Sequence, residues 1–589
     1  MPPSQTVHAT PRLAILADAH FHDLYGDYGI KGVPGSDGRR MSVRLLSDTV
    51  KSTRVFNESY AALKHALDDI AAEGIRDVVL LGDYSDDGQR ETLRNVRRLL
   101  EDYEARLGLR FYATVGNHDI FAATGRHRTK KFLSENGRYS LATSDPATRD
   151  PSAFEIAVSE AMSCPGYPDG LSEMAAFGFF PRGDELYWET PFGSDAAVEA
   201  RCYDVYSPDG TISRRLMDAS YLVEPTDGIW LAMIDANVFA PVDGIAPGAP
   251  GDFADSTGAG WNGMLRHKAF VFEWLADVSR RAQQEGKCLL AFSHYPVLDP
   301  LDGTATDERH LLGETPMVGR IPTPAVAEKL MKAGVNLHFS GHLHVNDTAR
   351  VKNEGGRYLV NIAVPALVAF PCAYKALSVF EDRFEIETRQ IGDMPLDPDL
   401  GRFYDREVAA SGLQVAALRD ARSYGTFLHA HLGHLVGRRH LKREWPRPLA
   451  EMLRTTSLAD ITLLSQVAHT VGLREIAGAV ERTDRRNLDS DVQALADACR
   501  DRGMTALDFL RDWYRLRMAS ELALPWIAPE TMEIYGRISA LYGATSWEKR
   551  SAQWKIARLF SMFERYRSGL PSDRFSIDRT SGAVSDRRK

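Results

Sequence analysis

The sequence predicts an α/β protein followed by an α-helical region, and three observations carry that prediction. Between residues 12 and 120, short apolar runs alternate with amphipathic stretches, as in a sheet with packed helices. Each apolar run ends in polar residues rich in Asp, His and Asn. After Gly392 the strand-like segments give way to helical periodicity.

The first strands are expected at Leu13–Ala17, Asp77–Leu81 and Arg110–Val115, separated by amphipathic stretches at Asn57–Glu73 and Gln89–Leu107. Later strands are expected at Ile229–Ile234, Cys288–Phe292, Asn336–Phe339, Tyr358–Ile362 and Leu377–Phe380. Two irregular insertions interrupt them, about 121–227 and 240–263, rich in Gly and Pro. Such stretches form either lids over a site or insertions with a small core of their own. Met394-Pro395-Leu396-Asp397-Pro398 marks a boundary, giving a first domain over 1–392 and a helical domain over 393–567. Its clearest helices are expected at Ala416–Val436, Pro448–Val467, Leu488–Arg502, Ala506–Leu522 and Trp547–Arg567. Residues 568–589 read as a polar, frayed tail.

The chain of 589 residues has a formal net charge of -9, but unevenly distributed. Residues 401–589 carry about +8 and residues 1–400 about -17, which suggests two units with different jobs. The basic run Arg438-Arg439-His440-Leu441-Lys442-Arg443, with Arg485-Arg486 and Arg511 to Arg517, reads as a solvated face or as a contact for nucleic acid, an anionic surface or the acidic domain. Acids interleave with these bases, which disfavours a nucleic-acid footprint. We expect charge pairing between the two units. The start of the chain has no signal-like region, and the apolar window from Leu359 to Phe380 contains Pro365, Pro371 and Lys375, so no membrane span is expected. Five scattered cysteines without a CxxC read as reduced thiols of a cytoplasmic protein. His429, His431 and His434 do not share one helix face, which disfavours joint metal binding.

The polar strand ends carry the chemistry. They are Asp18-Ala19-His20, Gly82-Asp83-Tyr84-Ser85-Asp86, Gly116-Asn117-His118-Asp119, Ser293-His294 and Gly341-His342-Leu343-His344. All can converge at one edge of a sheet, where α/β proteins place their sites. Carboxylate, imidazole and amide oxygen together suit Mn, Fe or Zn, and two such metals can activate water for attack on phosphorus.

In order, DxH, GDxxD, GNHD, a lone His and GHxH resemble the five motifs of the calcineurin-like metallophosphoesterases, over about residues 10–390. The resemblance implies a four-layer α/β/β/α sandwich holding two divalent metal ions. It implies Asp18, His20 and His344 on one metal, Asn117, His294 and His342 on the other, and Asp83 between them. A metal-activated hydroxide would attack phosphorus, His118 would protonate the leaving oxygen, and Asp86 would orient the His118 ring. Asp119 would stand behind the ligands, and Tyr295 and Pro296 would shape the pocket wall.

Departures narrow the resemblance. Phosphoprotein phosphatases carry an Arg where this chain has Asp87, and an acid there is expected to repel a phosphate dianion. Purple acid phosphatases place a Tyr where this chain has Asp86. Gly82 to Leu93, GDYSDDGQRETL, is similar to bacterial class III cyclic-nucleotide phosphodiesterase-like enzymes, as are Ser220-Tyr221-Leu222 and Asp235-Ala236-Asn237. The leading expectation is hydrolysis of a small, nucleotide-like phosphodiester. The alternatives are a phosphomonoesterase or nuclease of the same fold, or a partner-binding scaffold using the helical domain. His22 and Asp23 could touch substrate at the rim, or could serve as turn residues bonded to backbone.

Overall fold

The computed structural model describes residues 10–249, 251–483 and 488–588; Arg485 and Arg486 lie outside them. Two seven-stranded mixed sheets dominate the first domain. In the first sheet, Arg12–Leu16 lies parallel to Asp77–Leu81, which lies parallel to Arg110–Thr114. Ala373–Val379 and Arg383–Gln390 extend the other side antiparallel. In the second sheet, Ile229–Ile234, Cys288–Ser293, Leu337–Ser340 and Tyr358–Ala363 run parallel in that order.

Strand alternation assigns the layers. Ile229, Leu231 and Met233 join the core shared with the first sheet. Trp230, Ala232 and Ile234 join a separate core with Trp274, Val278 and Leu330 of the helices Ala269–Glu285 and Pro324–Lys332. A period of two thus gives one strand two apolar faces, as a sheet covered on both sides requires. With Ser59–Ala72 and Arg90–Leu107 against the first sheet, the fold is an α/β/β/α sandwich, with a helical carboxy-terminal region. No helix among the described residues is long and apolar enough to cross a membrane.

The tail differs from expectation. Arg574–Asp578 pairs antiparallel with Arg383–Gln390, and Val584–Asp586 pairs with it in turn, so residues beyond 568 complete the first sheet. The alternation Arg-Phe-Ser-Ile-Asp buries Phe575 and Ile577, which outweighs the polar composition around them. Two expected helices are broken. Ser423 and Thr426 form a capping box that starts Tyr424–Leu435 afresh after the short Ala416–Arg419 turn. Ser457 caps Leu458–Leu464 separately from Arg447–Thr455. Helices Pro398–Ser411 and Pro529–Gly543 complete the region, each opened by a proline in its first turn.

Residue 392 is a change of composition, not a gap in packing, since one apolar core includes Leu16, Leu428, Phe509 and Phe563. Charge pairing joins the same faces. Arg517 meets Glu308 at 2.7 Å with both side chains buried, and Arg558 and Arg565 both pair with Asp307. Glu407 accepts hydrogen bonds from the backbone of Leu46 and Ser47 at 2.7 and 2.9 Å. Within the basic run, Arg438, Lys442 and Arg443 are exposed, whereas Arg439 and His440 turn inward. The insertion after residue 121 forms a three-stranded sheet, Thr129–Leu133, Tyr139–Thr143 and Ile156–Val158, with Phe132, Ala142 and Met162 in a small core beside Tyr28. All five cysteines are free thiols.

Candidate metal centre and its cavity

The turns after the first two strands are stitched together. Asp18 N donates to Gly82 O, His20 N to Asp83 O at 2.7 Å, and Phe21 N to Tyr84 O at 3.0 Å. The stitching requires unusual backbone. Asp18, His20, Asp83, Asp87, His342 and His344 all have positive φ, between 39° and 78°. Non-glycine residues in that region cost about 1–3 kcal/mol each and gather where surrounding structure enforces a functional geometry. Two glycines make the approach possible. A Cβ on Gly116 would lie 2.1 Å from Asp83 Oδ1, and one on Gly341 would lie 2.5 Å from Asp18 Oδ2.

Backbone N–H groups select which carboxylate oxygens stay free. His342 N donates to Asp18 Oδ2 at 2.9 Å, leaving the buried Asp18 Oδ1 without a partner. His118 N donates to Asp83 Oδ1 at 2.8 Å, leaving Oδ2 to face the imidazoles. That oxygen lies 3.6 Å from His20 Nε2 and 3.3 Å from His294 Nε2. Asp18 Oδ1 lies 3.9 Å from His20 Nε2 and 3.4 Å from His344 Nε2. On the other side, His294 Nε2 is 3.2 Å from both Asn117 Oδ1 and His342 Nδ1. His294 Nδ1 is bonded to Leu81 O at 2.8 Å, which fixes the ring and presents Nε2.

Ligands about 2.0–2.2 Å from one cation stand roughly 3.0–3.5 Å apart, close to most of these spacings. His20 Nε2, like Asp18 Oδ1, is buried without a hydrogen-bond partner, an expensive arrangement unless a cation takes up such atoms. Burial holds the His20 and His342 imidazoles well below the usual range, whereas at His294 the Asp83 carboxylate outweighs burial and pushes the imidazole up to about 9. Asp18, His20 and His344 can hold one ion, and Asp18, Asp83 and His294 form a second convergent group. The residues expected as ligands are therefore brought together, with Asp83 between the two sets.

The expected pairing of Asp86 with His118 is corrected. Asp87, not Asp86, bonds His118 Nδ1. Asp86 is engaged by Arg44 at 2.8 Å, Arg54 at 3.0 Å and Lys130 at 2.6 Å. Asp87 departs from the turn with φ 78°, and its carboxylate reaches the ring. Burial would raise the Asp87 carboxyl, but Lys130 and Arg54 hold it well below the usual range. Arg128 also engages Asp87, so its charge is offset and the expected repulsion of a phosphate dianion loses its basis. Lys130 and Arg128 belong to the insertion sheet and its approach, and Arg54 lies in the loop between the helices Leu46–Thr49 and Ser59–Ala72. Sequence spacing gave no signal for any of the three.

His22 is also corrected. It is buried, with Nε2 2.7 Å from Ser42 O, Nδ1 3.3 Å from Tyr28 Oη, and burial pushing its imidazole down to about 3. It packs against Tyr28 and Phe132 and does not line the cavity at the ligand set. Asp23 accepts from Tyr25 N at 2.9 Å, the turn alternative. Asp119 accepts from Ser85 N and Gly116 N, tying the second and third turns together. Tyr295 stands behind His342, ring centroids 4.5 Å apart, and donates to Asn237 Oδ1 at 2.8 Å. Asn237 in turn donates to Gly116 O, so the Asp-x-Asn strand end braces the third turn. From the second insertion, Thr257 Oγ1 lies 3.3 Å from Asn117 Nδ2.

The centre opens into a cavity of about 440 Å³ with two walls. One carries Asp83, Asn117, His118, His342, His344 and Arg54. The other comes from the helical region, including His431, Leu435, Arg439, His440, Tyr514 and Arg517. His431 Nε2 is bonded to Thr49 O at 2.9 Å, while His429 stacks on Trp526, so these histidines form no common metal group. The sequence placed the helical region outside the shared fold and gave no sign that it reaches the site.

Comparison with solved structures finds a dimetal phosphatase from Danio rerio, at 15% identity and a TM-score of 0.34, covering 65% of this chain and 96% of that one. It also finds GAP50, the anchor in the inner membrane complex of Plasmodium, at 10% identity and a TM-score of 0.25, covering 65% and 84%. No curated protein matches the chain. Residues 11–160, which carry the first three motifs, match the family model described as calcineurin-like phosphoesterase. The family match over residues 11–160 and the convergent Asp and His groups support metal-dependent hydrolysis of phosphoester bonds.

Proposed function

We propose that the protein hydrolyses a small, nucleotide-like phosphodiester. The observation that carries hydrolysis is the set of buried, unpaired ligand atoms around Asp83, next to a histidine anchored at one nitrogen only. Asp18, His20 and His344 would hold one divalent ion; Asn117, His294 and His342 would hold the other, with Asp83 shared. Such a pair supplies a polarised phosphoryl group and activated water. His118, held at Nδ1 by Asp87, has Nε2 free to protonate the leaving oxygen. Arg54, 3.5 Å from His118 Nδ1 and part of the cavity wall, pairs with Asp86 and Asp87 at 3.0 Å and so holds in place the carboxylate that anchors that histidine.

Preference for a diester rests on the similarity of Gly82 to Leu93 to cyclic-nucleotide phosphodiesterase-like enzymes. The neutralised Asp87 no longer separates diesters from monoesters. A cavity of this size suits a small organic ligand. Protein loaded with Mn²⁺, Fe²⁺ or Zn²⁺ is expected to cleave bis-p-nitrophenyl phosphate and a cyclic nucleotide, and EDTA is expected to abolish turnover. Turnover of p-nitrophenyl phosphate alone would reassign the protein to monoesters. Absence of turnover on all of them, with metal bound, would sink the hydrolase reading.

A further inference from the structure

Four arginines line the cavity, and they fall into two classes. Arg54 and Arg517 are neutralised by buried carboxylates, Arg54 by Asp86 and Asp87 at 3.0 Å and Arg517 by Glu308 at 2.7 Å. Arg320 and Arg439 are not. The Arg320 guanidinium makes no hydrogen bond or ion pair among the described residues. Arg439 donates Nη1 to Lys51 O at 2.9 Å, and its buried Nε has no partner. The one acid on this side of the cavity, Glu444, is engaged by His440 Nδ1 at 2.8 Å. Burial lowers both guanidinium pKa values, and neighbouring cations, Arg320 among them, lower that of Arg439 further.

Half-buried guanidinium groups without counterions are costly unless an anion visits them. The arginine fork matches phosphate oxygens, often two at once. Arg320 follows the helix Pro316–Gly319 of the sandwich, and Arg439 lies in the turn Val436–His440 of the helical region, so this pair straddles the boundary between the two units. Leu435 and Tyr514 provide an apolar and aromatic surface on the same cavity, and Tyr514 is fixed by stacking on His440 and by a bond from Trp445 Nε1.

We propose that Arg320 and Arg439 hold a second phosphate group of the substrate, set apart from the phosphoester that is cleaved. This rests on the hydrolysis proposed above and narrows its substrate to small organic molecules with two separated phosphate groups. The helical region is then part of the recognition surface. Net charge pointed instead to pairing between the domains, which Arg517 and Arg558 perform without using Arg439.

The test compares one ester with and without a second phosphate on its organic body. For the metal-loaded wild-type chain, kcat/KM is expected to favour the doubly phosphorylated ester. In Arg320→Ala and in Arg439→Ala that preference ratio is expected to fall by about 10-fold or more, the equivalent of one charged hydrogen bond. Arg439→Lys, which keeps the charge but loses the fork, is expected to fall in between. An unchanged ratio in both alanine variants overturns the proposal, as does a wild type with no preference. Titration of the metal-free full chain with inorganic phosphate separates this from the hydrolase reading. Wild type is expected to bind, and the Arg320→Ala/Arg439→Ala double variant is expected to lose that binding. Binding retained in the double variant, or absent in wild type, overturns the second-phosphate site whatever the enzyme turns over. Loss of binding in a protein that hydrolyses no ester leaves the anion site standing and removes the hydrolase reading instead.

Discussion

The two walls of the cavity are built by opposite strategies. The sandwich wall takes its groups from turns at strand ends, with backbone N–H groups fixing each carboxylate and positive φ angles at six residues. The helical wall takes His431 and Arg439 from one continuous helical run over 424–443 and Tyr514 from Ala506–Ala519, held by ordinary packing and capping. The first wall is strained and locally encoded, which suits chemistry that tolerates little displacement. The second is relaxed and assembled over long sequence distances, which suits recognition, where side chains can change without disturbing the ligands.

Breaking the first wall should have the largest effect. Asp83→Ala removes the carboxylate between both ligand sets, and is expected to reduce bound metal and cut turnover by at least about 100-fold. Retained stoichiometric metal, measured by elemental analysis, would contradict the assignment of Asp83. His118→Ala is expected to cost about 10²–10⁴-fold on esters with poor leaving groups and far less on nitrophenyl esters. Equal losses across a leaving-group series would remove His118 from the acid role. Asp87→Asn should reproduce part of the same leaving-group pattern, whereas Asp86→Asn should act mainly on stability through Arg44 and Lys130.

The contact between the walls can be probed by stability. Arg517→Ala leaves Glu308 buried and unpaired, with an expected loss of about 3–5 kcal/mol. Arg517→Met with Glu308→Gln should recover much of it in urea unfolding. A smaller effect is expected at Glu58, where burial pushes the carboxyl up to about 7 from an ordinary 4.5. Tyr404 of the helical region donates to its Oε1 at 2.6 Å, and Oε2 has no partner. Between pH 4.5 and 7 the unfolded chain has released this proton and the folded chain has not. Stability should therefore fall as pH rises through that window and then level off, by up to about 3 kcal/mol. Glu58→Gln should flatten the profile, and a profile unchanged by it would exclude Glu58 as the source.

The sequence alone determined the strands, their polar ends and the ligand types. Asp77–Leu81 and Ile229–Ile234 match expectation residue for residue, because a short apolar run with turn residues at its end has few alternatives. The motif residues met because each sits within a few positions of a strand end, so sheet pairing brings them together automatically. The tertiary structure alone decided the choice of Asp87 over Asp86, since one residue of turn with left-handed backbone redirects a carboxylate and no spacing rule records it. It alone decided that the polar tail carries a strand and that His22 faces a core, because both depend on partners far away in the chain. The charge split was legible, but which arginines are neutralised was not. Net charge counts groups, whereas pairing depends on which of them are buried against one another.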